Sequence, residues 1–133
     1  MSRKPESTFI ASVHRHLPPE LHREKMCNPY SSGTADVWYS GNHSDLWVEY
    51  KFIPKIPVRD NTLIVPELSA LQLDWLEGRH GEGRNVALII GCPEGGVLYR
   101  NGGWRSPCQA GYFRKALKDR KTLADWIVKA TVR

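Results

Sequence analysis

Thr34-Ala35-Asp36-Val37-Trp38-Tyr39-Ser40, then Gly41-Asn42-His43-Ser44, then Asp45-Leu46-Trp47-Val48-Glu49-Tyr50-Lys51-Phe52-Ile53 is the stretch that decides how this chain is read. Both outer segments are rich in β-branched and aromatic residues, and the small polar segment between them has the composition of a hairpin turn. A four-residue loop pairs Ser40 with Asp45. The other facing pairs follow, and Asp36 stands opposite Glu49, with Cβ atoms roughly 5 Å apart on one face of the ladder. Lys51, two residues past Glu49, leaves from that face too. Leu46, Val48, Tyr50 and Phe52 form an apolar row on the other face, and burying that row holds the register.

Two carboxylates facing each other across a ladder repel, so something must compensate them. Lys51 is one candidate and a divalent cation is the other. Mg²⁺ takes one or two protein carboxylates and completes its shell with water and substrate phosphate. Asp36, Glu49 and the backbone carbonyl of Tyr50 supply such a half-shell, with Lys51 aimed at a water or a phosphate. The plain alternative is an exposed Asp and a Glu/Lys pair on a half-solvated strand. Glu6 heads the stripe Glu6, Ile10, Val13, Leu17 on the first helix. It either faces a polar site at the edge of the core or complements the helix dipole as a first-turn acid.

Outward from the hairpin, punctuation divides the chain. Residues 6–17 read as a helix ended by Pro18-Pro19. Residues 18–33 read as loop. Pro54 and Pro57 close the second hairpin strand, and Thr62 to Val65 is a short third strand. Ser69 and Gln72 form a capping box, with Leu68 and Leu73 placed for a hydrophobic staple, and the helix runs to about His80 before Gly81. Asn85 to Gly91 encloses Val-Ala-Leu-Ile-Ile, typical of a strand buried on both faces. Val97-Leu98-Tyr99 follows as a strand. Two helices are expected over about 109–118 and 123–131, the second capped by Thr122 with Asp125 in its first turn. The predicted fold is one α/β domain over residues 1–133, a mixed sheet flanked by helices.

The 133 residues have ordinary globular composition, with 41% hydrophobic and 25% charged. No apolar run approaches the roughly 20 residues of a membrane span, and the N-terminal residues lack the apolar stretch of a signal peptide. The net charge is +5, and its excess sits at one end. Residues 105–133 hold eight basic and two acidic residues, while the first 104 hold eleven and twelve. Arg105, Arg114, Lys115, Lys118, Arg120 and Lys121 therefore read either as a solvated helical surface or as contacts for a polyanion, DNA above all.

Gly33-Thr34-Ala35-Asp36 followed by Val48-Glu49-Tyr50-Lys51 resembles the split signature of the PD-(D/E)xK nuclease superfamily, and most closely its VRR-NUC and small phage junction-resolving branch. Glu6 opening the first helix, Pro54 after the lysine, and Leu68-Ser69-Ala70-Leu71-Gln72 opening the second helix agree with that branch. Ala35 departs from it, standing where the family usually has Pro. The resemblance covers roughly residues 6–91. It implies a restriction-endonuclease-like core in the order α-β-β-β-α-β, with an extra strand and helices over about 92–133. It also implies that Asp36, Glu49, Glu6 and the Tyr50 carbonyl hold Mg²⁺, for which Mn²⁺ substitutes. Lys51 then positions the attacking water and Gln72 orients Lys51 or a phosphate, unless Gln72 is only a helix cap.

The activity so implied is metal-dependent hydrolysis of DNA phosphodiesters, on branched DNA such as a four-way junction, by a cytoplasmic protein of a prokaryote or phage-infected cell. Two symmetric nicks need two sites, so a homodimer is expected. The competing readings are a nicking or double-strand endonuclease, site-specific or not, and a non-catalytic DNA-binding module on the same scaffold. Among other residues, His14, His16 and His22 are close in sequence to Cys27, which admits a zinc site; solvent-facing histidines are the simpler reading. Neither Cys27 nor Cys108 is paired with a general base, and Cys92 reads as a small buried hydrophobe. Of the five tryptophans, Trp75 and Trp47 are expected in packing, with Trp47 also placed to flank the site. Trp104 is expected at the surface, and Trp126 on a helix stripe that needs a cover.

Overall fold

The computed structural model describes residues 5–26 and 33–133. Residues 1–4 and 27–32 lie outside the described residues, and with them the cysteine of the zinc alternative and part of the segment read as loop.

The central hairpin joins β2 (Val37–Ser40) to β3 (Asp45–Phe52) in the expected register, with Ser40 facing Asp45 and Val37 facing Val48. Leu46, Val48 and Tyr50 are buried, as their alternation requires. The rest of the sheet is built on this hairpin. α2 (Ala70–Gly81) carries the chain back over one face, and β5 (Val86–Cys92) then pairs parallel with β3. Every residue of β5 is buried, because helices cover it on both sides. β6 (Gly95–Tyr99) turns back antiparallel to β5.

The fifth strand comes from an unexpected place. β1 (His22–Lys25), in a segment read as loop, pairs antiparallel with β2 and gives the order β1-β2-β3-β5-β6. His22-Arg23-Glu24-Lys25 has no apolar alternation because an edge strand with solvent on both faces needs none, and charge there blocks pairing with another chain. The expected third strand is real but short. β4 (Leu63–Ile64) leaves the main sheet and pairs with β7 (Cys108–Gln109) in a separate two-stranded sheet.

α1 (Pro5–His14) and α4 (Arg120–Thr131) cover one face. There Phe9, Ile10, Val13, Leu123 and Ile127 meet Tyr39, Val48, Tyr50 and Ile89. α2 and α3 (Ala110–Ala116) cover the other, where Leu76, Trp104 and Phe113 meet Leu88, Ile90 and Val97. α4 starts three residues earlier than its apolar stripe suggests, since Asp119 is its cap and accepts the Thr122 N–H at 2.7 Å. The stripe on α4 is covered by the sheet, with Leu123 and Ile127 fully buried. Among the described residues no helix is long and apolar enough to cross a membrane.

Candidate active site

Glu49 is a charged side chain with 2% exposure at the centre of the hairpin's second strand. Strand alternation places it on the α2 face, and its surroundings come from three directions. From β2, Asp36 is the residue just outside the last ladder pair, and its Oδ2 accepts the Tyr50 N–H at 2.8 Å. From α2, Gln72 Nε2 donates to Glu49 Oε2 at 3.1 Å. From β3 itself, Lys51 Nζ lies 3.7 Å from the same oxygen and donates to Gln72 Oε1 at 3.0 Å. Gln72 thus ties the base and the acid to one amide.

Helix capping holds that amide in place. Ser69 Oγ accepts the Gln72 N–H at 3.1 Å, and the Ser69 N–H donates to Gln72 Oε1 at 3.0 Å. Gln72 is therefore the helix cap, and the oxygen that caps also accepts the Lys51 hydrogen bond. Gly33 sets the approach of β2 to this turn. Its φ is 91°, and a Cβ there would stand 2.4 Å from the Leu71 carbonyl oxygen. Only glycine lets the chain before Asp36 run this close to the first turn of α2.

The electrostatics follow from burial. Desolvation, then the Asp36 charge, push the Glu49 carboxyl up to about 8, against the pull of Lys51. A proton on Glu49 could be shared with Asp36, and Glu6, half-buried in the first turn of α1, adds its charge in the same direction. Glu49 Oε1 is buried with no hydrogen-bond partner. A buried orphan carboxylate oxygen facing a second carboxylate is costly unless a proton or a cation joins them. The donor set therefore fits a hard cation with oxygen ligands. Among the described residues no three His, Cys, Asp or Glu side chains converge as a ready-made metal cage, and the acids that face each other here are two, Asp36 and Glu49. That is the usual situation for Mg²⁺, which keeps several waters.

The basic residues of the C-terminal segment have varied company. Arg105 pairs bidentately with Glu77, at 2.7 and 2.8 Å. Arg114 reaches Asp60 at 2.5 Å and the carbonyl of Pro57. Arg120 donates to Ser12 and stands over the Phe9 ring, and Lys121 pairs with Asp125. Lys115 and Lys118 are exposed, with no acidic partner at ion-pair distance among the described residues. Trp104 is buried at 2% exposure, not at the surface, because the 3-10 turn Gly103–Arg105 folds its ring inward and its Nε1 donates to Glu77 at 2.8 Å. His14 is drawn to Tyr39 at 2.7 Å and His22 to Glu24 at 3.0 Å.

Sequence reading did not single out Arg79 and Arg84. Arg79 follows Gln72 and Trp75 at helical spacings of seven and four, which was the available signal. Arg84 lies in the loop that returns the chain to β5, where no periodicity marks it.

A five-stranded mixed sheet with β3 and β5 parallel and helices on both faces is the restriction-endonuclease-like α/β fold. The solved structure of Hjc, a Holliday junction resolvase from the archaeal hyperthermophile Archaeoglobus fulgidus, shares it. The two superimpose with a TM-score of 0.55 over 92% of this chain and 97% of that one, at 12% identity. Coverage of that extent reaches beyond residues 6–91 into the C-terminal segment. No protein-family model matches the sequence, and no curated protein matches it.

Proposed function

We propose that this protein is a divalent-metal-dependent DNA endonuclease of the PD-(D/E)xK type, close to the VRR-NUC branch, that cuts branched DNA as a homodimer. The observation that carries the reading is the orphaned Glu49 Oε1 beside Asp36, with Lys51 and Gln72 hydrogen-bonded around it. The fold shared with a Holliday junction resolvase supports the choice of branched DNA.

Asp36, Glu49 and the Tyr50 carbonyl would hold Mg²⁺ or Mn²⁺, with Glu6 joining through water. Bound there, the cation supplies Lewis acidity toward the scissile phosphate and a bound water of lowered pKa. The chain's own residues do the rest. Asp36 is fixed by the Tyr50 N–H, so one oxygen is anchored and the other is left to the site. Gln72 holds the Lys51 ammonium near Glu49, where it orients the attacking water and neutralises charge building on the phosphate. Phosphate contacts farther out would come from Lys115 and Lys118, with Arg105, Arg114, Arg120 and Lys121 contributing as their ion pairs allow.

Four-way junctions, flaps, nicked duplex and plain duplex, each with Mg²⁺, test the reading. Preferential cleavage of junctions, abolished in Asp36→Ala and Glu49→Ala while binding remains, is the expected result. Equal rates on plain duplex would turn the reading to a general nicking or double-strand endonuclease. Binding with no cleavage of any substrate would leave a non-catalytic module.

A further inference from the structure

Two lines of side chains leave the catalytic cluster together. Along β3, Trp47 shares the face of Glu49, about 7 Å away as alternate strand residues are. Along α2, Gln72, Trp75 and Arg79 share one face. The lines run side by side in opposite chain directions. Lys51 meets Gln72 at one end, at 3.0 Å, and Trp47 meets Trp75 farther along, with ring centroids 5.4 Å apart. Beyond that contact lies a cavity of about 580 Å³, lined by Trp47, Trp75, Arg79, Arg84 and Asn85 among others. Its volume falls within the roughly 300–1,000 Å³ of ligand clefts.

The aromatic side chains here differ from the core beneath them. Leu76, Leu88 and Ile90 on this face are buried, whereas Trp38, Trp47 and Trp75 all keep part of their surface in solvent. Trp38 stacks on Trp47 at 5.8 Å and 20°. The Arg79 guanidinium stands over the Trp75 ring at 5.7 Å. Arg79 and its partner Glu82 are both exposed and 3.4 Å apart, so moving the guanidinium costs little. Arg84 is exposed at the same opening. Asp45 is the one carboxylate among the lining residues. Flat π surfaces with two exposed cations beside them match a nucleotide, a planar base carrying a phosphate.

We infer that this cavity receives an unpaired base of the DNA strand next to the scissile phosphate, stacked against Trp75 and Trp47, with Arg79 and Arg84 on the adjoining phosphates. The inference rests on the nuclease reading for the identity of the strand. Stacking tolerates any base, so the cavity gives no sequence preference. It favours DNA whose bases can leave the stack, as at a branch point or a gap, over continuous duplex.

Gapped duplexes carrying 2-aminopurine in the gap, bound without divalent metal so that no strand is cut, test this against the same duplex without a gap. The expected result is quenching of 2-aminopurine on binding. Trp75→Leu should remove the quenching and weaken gapped-DNA binding by roughly five- to one-hundred-fold, with intact duplex little affected. Trp75→Phe, which keeps a ring, should restore most of both. Arg84→Ala, on an exposed loop where the fold is not at stake, should weaken binding and lower the salt dependence by about one phosphate contact. Unquenched 2-aminopurine, or a Trp75→Leu loss equal on gapped and intact DNA, overturns the inference. Cleavage without quenching sinks it alone, whereas quenching without cleavage under any divalent metal sinks the nuclease reading and leaves the base cavity standing.

Discussion

Asp36 Oδ2 accepts the Tyr50 N–H at 2.8 Å, so a carboxylate takes the place of the next ladder bond after Val37 and Val48. The bond fixes Asp36 against Glu49, although the two acids repel. Asparagine keeps the acceptor and removes the charge. Asp36→Asn should therefore melt no lower than the wild type, while Asp36→Ala should lose about 1–2 kcal/mol relative to Asp36→Asn. Both should lose cleavage. Denaturant titration of the three proteins reads the difference, and equal stability of the two variants would show that the Tyr50 bond contributes nothing.

Glu49 gives a pH dependence of defined sign. Its carboxyl is pushed up to about 8 in the fold, from 4.5. Between those values the folded chain binds more protons than the unfolded chain, so metal-free stability falls as pH rises through the window. A cation displaces the proton, so binding strengthens over the same range. Glu49→Gln should flatten the metal-free pH profile, and the Mg²⁺-induced shift of Tm should be larger near pH 8 than near pH 6. A Mg²⁺ shift independent of pH, or one retained in Glu49→Gln, would place the ion elsewhere.

Ser69 and Gln72 share one capping box but not one role. Ser69→Ala removes the cap alone and should cost about 1 kcal/mol of stability with little change in cleavage. Gln72→Ala also releases Lys51 and Glu49, and should lower cleavage by roughly 10- to 100-fold. Comparable cleavage by both variants would reduce Gln72 to a cap.

His14 sets an acid limit that is separate from the site acids. Burial, helped by the charges of Arg23 and Lys25, pushes its imidazole down to about 4. Its contribution to stability is complete above 6.5 and is lost as pH falls from there toward 4, because the unfolded chain takes up the proton first. Denaturant melts at several pH values should show His14→Gln with a shallower loss over that interval. An unchanged slope would mean the imidazole is charged in the fold.

Gly33 is constrained by space as well as by φ. Gly33→Ala forces a Cβ against the Leu71 carbonyl and a strained backbone at φ 91°. Destabilisation above about 1 kcal/mol and loss of cleavage are expected, since Asp36 would be displaced from α2.

The hairpin and α2 were legible in the sequence for local reasons. A four-residue loop and an apolar row fix one register, and Ser69 with Gln72 marks a helix start within four residues. What could not be read depends on partners distant in the chain. β1 is a charged edge strand recognisable only once β2 lies beside it. β4 finds its partner more than forty residues later, at Cys108–Gln109. Charge along the C-terminal segment carries the sign of Arg105 and Arg114 but not their acids, Glu77 and Asp60, which arrive from other elements. Trp104, between glycines and an arginine, carries no local sign that Glu77 draws it inward.

Glu77 lies five residues along α2 from Gln72 and is gripped by both Trp104 and Arg105. The 3-10 turn thereby acts as a splint on the helix whose first turn aims Lys51. On the proposed nuclease reading, damage to that splint would register in kinetic assays as a fault at Lys51, although none of its atoms belongs to the proposed site.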